Sequence, residues 1–201
     1  ATPKSGGLFR MGIAHGSTTD TLDSATSENH FTLVNGYTFG NNLTEVNNDG
    51  QLIGELAESY ESSDGQTWVF NLRQGVEFHN GKTMTSEDVI ASFNHHMGED
   101  STSAAKGLLT AVKSIKADGK NKVVFELDSP NADFPFIVSD YHISILPAGD
   151  MASGIGTGGY IVQSFEPGVK SVLKRNPNYW KEGRGHFDEV ELISIIDPTA
   201  R

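Results

Sequence analysis

Cysteine is missing from this sequence, which excludes disulfides, thiolate zinc sites and thiol nucleophiles and suits a chain exported into an oxidising compartment. No apolar run approaches the roughly 20 residues that a bilayer-crossing helix needs. No basic stretch followed by an apolar one opens the chain. Positive charge is also scarce: 15 Lys and Arg stand against 26 Asp and Glu, a formal net charge of −11, and the basic residues never gather into a stripe. Such a field repels phosphate backbones, so nucleic acid is not an expected partner. Internal repeats and low-complexity tracts are lacking too.

What remains is an ordinary globular composition. With 201 residues, 36% hydrophobic, the chain is long enough to remove about 70% of its unfolded surface from water. The 22 glycines and seven prolines predict many turns. The small, polar opening Ala1-Thr2-Pro3-Lys4-Ser5-Gly6-Gly7 is the texture expected just past a signal-peptidase cut, so a mature, exported chain is expected. The other end, Ile195-Ile196-Asp197-Pro198-Thr199-Ala200-Arg201, directly follows a predicted strand and reads as a cut in mid-domain.

Leu8 to Ala14 alternates enough for a first strand, and Thr18 to Asn29 is a Ser/Thr/Asp-rich loop. Phe31 to Phe39 fits either a short helix or a bent segment. Leu43 to Val46, Asn47-Asn48-Asp49-Gly50 and Leu52-Ile53 read as a hairpin, Asp-Gly supplying the positive φ of its turn. Thr67 to Arg73 places Trp68, Phe70 and Leu72 on one side of a pleated strand. Thr85 with Asp88 three residues on predicts a helix cap, and Val89, Ile90, Phe93 and Met97 follow at helical spacing up to Gly98. Further on, Ser103 to Val112 is expected to be helical, Lys122 to Leu127 a strand, and His142 to Leu146 a strand stopped by Pro147. Three more strands are expected around Ile161, Val172 and Leu192. Strands and helices mix without a βαβ beat, which predicts a mixed α+β or irregular α/β fold.

Gly154-Ile155-Gly156-Thr157-Gly158-Gly159 satisfies G-x-G-x-x-G. A dinucleotide site requires a helix after that motif, and Tyr160 to Phe165 reads as a strand, so a glycine-rich turn linking two domains is expected instead. Of the seven histidines, none sits at the i, i+4 spacing of a zinc pair, and no metal or other cofactor is predicted. Glu55, Glu58, Glu61 and Asp64 read as a solvated face rather than an acid/base pair. No G-x-S-x-G elbow, H-E-x-x-H helix or P-loop occurs. A hydrolase would have to assemble Ser, His and Asp from distant loops.

Leu56 to Glu61, then Asp64-Gly65-Gln66-Thr67-Trp68-Val69-Phe70-Asn71-Leu72-Arg73-Gln74-Gly75-Val76-Glu77-Phe78-His79-Asn80-Gly81-Lys82, then Thr85 to Val89 together resemble the signature block of the family 5 extracellular solute-binding proteins, the peptide/nickel receptors of ABC importers. Thr21-Leu22-Asp23, Gly156 to Tyr160, and Arg175-Asn176-Pro177-Asn178-Tyr179-Trp180 leading to Ile196-Asp197-Pro198-Thr199-Ala200-Arg201 agree in order and spacing. The resemblance covers essentially the whole chain. Two positions depart from it: Ser24 stands where the family usually has Pro after Leu-Asp, and Gly159 where it has Pro before Tyr, changes of loop stiffness more than of chemistry.

The resemblance implies a type II periplasmic-binding-protein fold of the cluster with an inserted domain. Residues 1–39 and 154–201 would form part of domain I, and 40–153 domain II. Domain III, which closes over the ligand in these receptors, would lie beyond Arg201. It further implies a periplasmic monomer that captures a di- or oligopeptide, or another small polar solute, and passes it to membrane permease subunits, with no enzymatic role. The loop after Leu-Asp-Pro contributes to the ligand wall in peptide-binding relatives, which carries over to Ser27, Glu28, Asn29 and His30. A loop rich in donors and acceptors suits that task, and a merely solvated loop has the same composition. Tyr141 and His142 are further candidates for lining the cleft. Nickel-binding relatives use an arginine with aromatic side chains inside domain II, and no Arg lies between Ser86 and Ser153, which disfavours nickel. Two other readings stay open: a secreted hydrolase with loop-borne catalytic residues, and a chaperone-like holder of peptides.

Overall fold

The computed structural model describes residues 2–201. Strands β1 (Leu8–Ile13), β8 (Tyr160–Glu166), β9 (Lys170–Arg175) and β10 (Glu189–Ser194) form a four-stranded sheet in the order β1-β10-β9-β8, in which only the β1–β10 pair is parallel. Strands β4 (Ala57–Glu61), β5 (Thr67–Leu72), β6 (Val112–Ala117) and β7 (Lys122–Leu127) form a second four-stranded sheet, antiparallel throughout, in the order β4-β5-β7-β6. The predicted hairpin is present as β2 (Thr44–Val46) and β3 (Leu52–Gly54), with Gly50 at φ 74° in its turn. The mix of sheets and helices is the α/β type expected.

The segment that could have been bent or helical is helix α1 (His30–Phe39). Its start is fixed by Asn29, whose Oδ1 accepts from the Thr32 amide at 3.0 Å while Thr32 Oγ1 accepts from the Asn29 amide. This reciprocal cap satisfies two backbone donors that a helix end leaves orphaned. Helix α1 covers the first sheet, where Phe31 and Phe39 join Ile13, Leu173, Val190 and Leu192 in a core.

Helix α2 (Ser86–Met97) begins at Thr85 as predicted. Asp88, fully buried, accepts from the Thr85 amide at 2.9 Å, the Lys82 ammonium at 2.7 Å and the Ala148 amide at 2.9 Å. The helix lays Val89 and Phe93 on the second sheet, and Phe93 meets Phe125 edge-on at 4.8 Å. Phe70 meets Phe125 and Phe134 edge-on, and the Phe125 and Phe134 rings lie tilted 5.2 Å apart. The short helix α3 (Phe134–Ile137) carries Phe134 into that core.

Two expected elements differ. Ser103 to Val112 is not a helix: a single 3-10 turn spans Lys106–Leu109, and Val112 opens strand β6. Gly107 and the local Ser101–Ser103 hydrogen bonds interrupt helical continuity, while β-branched Ile115 pairs across to Phe125. His142 to Leu146 is not a strand. Ile143, Ile145 and Leu146 are buried as an extended segment without a ladder. Its amides go elsewhere, Ile145 to the Asn41 carbonyl at 3.0 Å and Leu146 to Ser92 Oγ at 2.9 Å. Burial on both sides reproduces a strand's composition without its pairing.

The glycine-rich segment leads straight into strand β8, as its sequence predicted, so no helix N-terminus is available for a pyrophosphate. Instead it is seated against the end of α1. The Gly158 amide donates to the Phe39 carbonyl at 2.8 Å, and a Cβ on Gly156 or Gly158 would overlap the Phe39 backbone. His79 holds the same segment from the other side, donating its amide to the Gly156 carbonyl at 2.9 Å and placing Nε2 2.9 Å from the Gly158 carbonyl.

Candidate functional site

Two recesses adjoin on either side of Tyr141. The smaller, about 210 Å³, is lined by His15, Glu28, Asn29, His30, Leu33 and Tyr141. The larger, about 490 Å³, is walled by Tyr37, Glu45, Leu108, Phe136, Asp140 and Tyr141, with Asn42 and Glu55 also lining it. Helix α1 supplies a wall to each, because it carries apolar side chains around most of its circumference and only part of them can enter the core.

Four of the six residues singled out from the sequence therefore meet at one recess: Glu28, Asn29, His30 and Tyr141. Glu28 and His30 are exposed, and the His30 ring lies 5.7 Å from that of His15. His15 has φ 66°, the one positive value outside glycine among the described residues, a conformation that costs a non-glycine residue free energy and clusters at functional sites. Asn29 also has a structural task, capping α1 and donating Nδ2 to Asp20 at 2.7 Å. Ser27 and His142 lie behind the surface. Ser27 Oγ shares a 2.8 Å hydrogen bond with Thr32 Oγ1, and the buried His142 ring bridges the Ser27 carbonyl at 2.8 Å and Asp140 Oδ1 at 2.6 Å. That bridge ties the Ser27–His30 loop to the Asp140–Tyr141 turn and stacks the His142 ring 3.9 Å from Tyr141.

The larger recess is electrostatically negative. Burial pushes the Asp140 carboxyl up, but the side-chain and backbone hydrogen bonds from His142 outweigh it and hold the group below the usual carboxylate range. The Tyr37 and Tyr141 phenols are pushed up, first by burial and then by the charge of Asp140, with Glu55 adding at Tyr37 and Glu28 at Tyr141.

Glu55 corrects the sequence reading. Glu58, Glu61 and Asp64 are exposed, but Glu55 is buried at the junction of the two sheets. Its Oε1 accepts from Asn41 Nδ2 at 2.8 Å and Lys181 Nζ at 3.2 Å, and its Oε2 from the Asn42 amide at 2.8 Å. Burial drives its pKa up to about 7 against the opposing pull of Lys181. Asn41 Oδ1 then accepts from Thr157 Oγ1 at 2.9 Å and Trp180 Nε1 at 3.0 Å, while the Arg73 guanidinium lies 4.9 Å from the Trp180 ring. All these partners are remote in sequence, and position alone gives no signal of them. Tyr37 and Phe136 were also missed. Their signal was available in the surplus of apolar residues on α1 and in Phe-Pro-Phe, more aromatic surface than one short turn can bury.

No serine hydroxyl among the described residues meets a histidine that a carboxylate orients. His96 Nδ1 lies 2.6 Å from Ser103 Oγ, but its other nitrogen has no acid, and His142 faces the backbone of Ser27 rather than its hydroxyl. The loop-borne triad of the hydrolase reading is thus not assembled. Among the described residues no group of three or more His, Asp or Glu side chains is placed to hold a metal ion, and no helix is long and apolar enough to cross a membrane.

The fold is that of a type II periplasmic binding protein. It superposes with a TM-score of 0.89 on the PBP AgaA from A. tumefaciens R10 in complex with agropinic acid, at 26% identity, covering 97% of this chain and 41% of that one. Residues 51–201 match the model of the bacterial extracellular solute-binding proteins, family 5 Middle, and the chain belongs to that family of binding proteins. Similar proteins include the nickel-binding periplasmic protein of Escherichia coli strain K12, 29% identical over 79% of this chain and 32% of its own length. Di/tripeptide-binding protein 2 of Pseudomonas aeruginosa strain UCBPP-PA14 is 27% identical over 84% of this chain and 39% of its own length. The chain thus spans about a third to two fifths of the length of these relatives.

Proposed function

We propose that this chain is part of the substrate-binding component of an ABC importer, which captures a di- or oligopeptide or a similar small polar solute in the periplasm and delivers it to membrane permease subunits. Family membership over residues 51–201 carries this reading. In it, residues 1–39 and 154–201 contribute to one lobe and 40–153 form an inserted domain, a division supported by the two sheets with their separate cores. The two recesses flanking Tyr141 form one wall of the cleft, with Glu28, Asn29, His30 and Tyr141 facing solute and Ser27 and His142 holding the wall in place. Nothing in this account breaks or makes a covalent bond.

Calorimetric titration of the intact protein that carries this chain with a di- to pentapeptide library tests it. Saturable binding at micromolar or tighter affinity is expected, and a flat response to every peptide and small polar solute would remove the receptor reading. Residues 1–201 alone should bind the same ligands far more weakly, because a single wall buries too little of a ligand to offset the cost of association.

A further inference from the structure

The larger recess combines two properties that are costly apart. Tyr37 is 56% exposed, Leu108 44% and Phe136 58%, so three large apolar side chains face solvent around one cavity. Apolar side chains gathered around a concave site with a few polar groups are the usual make-up of a ligand pocket. Between them sit carboxylates. Asp140 Oδ1 is taken by His142, while its Oδ2 accepts no hydrogen bond among the described residues. Glu45 and Glu55 share the single ammonium of Lys181, at 2.7 and 3.2 Å, and burial holds the Glu55 pKa up at about 7, so the negative charge left to the cavity rests chiefly on Asp140. No Lys or Arg lines the cavity.

On this basis, and resting on the receptor reading above, we infer that the recess beneath Asp140 takes the cationic, apolar-flanked end of the solute, an ammonium or guanidinium carried next to an aromatic or aliphatic group. The charge complementarity places the cation at Asp140 Oδ2, and the rings of Tyr37, Phe136 and Tyr141 can offer their electron-rich faces to it while covering the neighbouring apolar group. Burial first, and then the charge of Asp140, raises the Tyr37 and Tyr141 phenols, so both groups stay neutral beside the carboxylate. An anionic group would meet the Asp140 charge without a counter-charge. The smaller recess, with two imidazoles facing Glu28, carries no comparable surplus.

Saturation-transfer NMR titrations of the intact protein with phenethylammonium and with phenylacetate, which share a ring and differ in charge, test the assignment. The ammonium probe is expected to bind about tenfold more tightly at low salt, with the preference shrinking as salt screens the field. Asp140→Asn should reduce that preference to about threefold or less and leave phenylacetate unchanged or improved. Glu45→Gln, at the cavity rim, should act in the same direction, so the test survives if Asp140→Asn melts early or loses its circular dichroism. Equal binding of both probes, no binding of either, or a preference untouched by both variants would overturn the inference. Peptide calorimetry on the same samples separates the two readings: peptides bound without regard to charge sink the cation subsite alone, and an intact ammonium preference with no peptide or solute bound sinks the receptor alone.

Discussion

The two sheets are stabilised differently. The second is closed on itself: Phe70, Phe93, Phe125 and Phe134 are all buried between strands and helices that belong to it. The first is half finished, with a smaller core, and its edge strand β1 leaves Leu8 41%, Phe9 39% and Met11 41% exposed. Phe9 finds only Phe187, 5.1 Å away and itself exposed. Stability should therefore be concentrated in the second sheet, and the first should open at lower free energy.

The sharpest break of this contrast is Phe125→Ala, which empties the centre of the aromatic cluster and should cost about 3–5 kcal/mol in urea unfolding. Asp88→Ala should follow at about 3 kcal/mol, since it removes a helix cap and leaves the part-buried Ala148 amide without its acceptor. A loss below about 1 kcal/mol would show that water replaces the carboxylate.

Acid should act on the same region. Burial holds the His96 imidazole neutral, its pKa lowered to about 4 from 6.5. Between those values the unfolded chain binds the proton and the folded one does not, so this contribution is complete above 6.5 and is lost as pH falls toward 4. The loss amounts to about 2–3 kcal/mol. Urea melts of wild type and His96→Gln at pH 7 and 5 check it: the variant should show the shallower decline. Smallest of all, Phe9→Ala should change stability by about 1 kcal/mol or less, because its ring is already partly in water. A cost near that of Phe125→Ala would place the two sheets on an equal footing.

Legibility in the sequence follows the range of the interactions concerned. Alternation at Trp68, Phe70 and Leu72, the Thr85–Asp88 cap and the Asp49-Gly50 turn are local, and each was readable because the residues that make the element sit within a few positions of one another. The strand at Val112 and the unpaired stretch at Ile143 were misread because cross-strand partners and remote acceptors decide them. The recess could be reached only in part. The Glu28–His30 loop came from family resemblance, and Tyr141 from its place before an apolar run. Glu55 could not be told from its exposed neighbours, because its environment is built by Asn41, Asn42 and Lys181 from two other segments.

The seating of Gly156 and Gly158 against Phe39 has a mechanical consequence. A seam with backbone hydrogen bonds on both sides and no room for a methyl group transmits displacement instead of absorbing it. In the receptor reading the two sheets are then expected to move together, and a Gly158→Ala wedge against the Phe39 backbone to shift the α1 end of the recess wall.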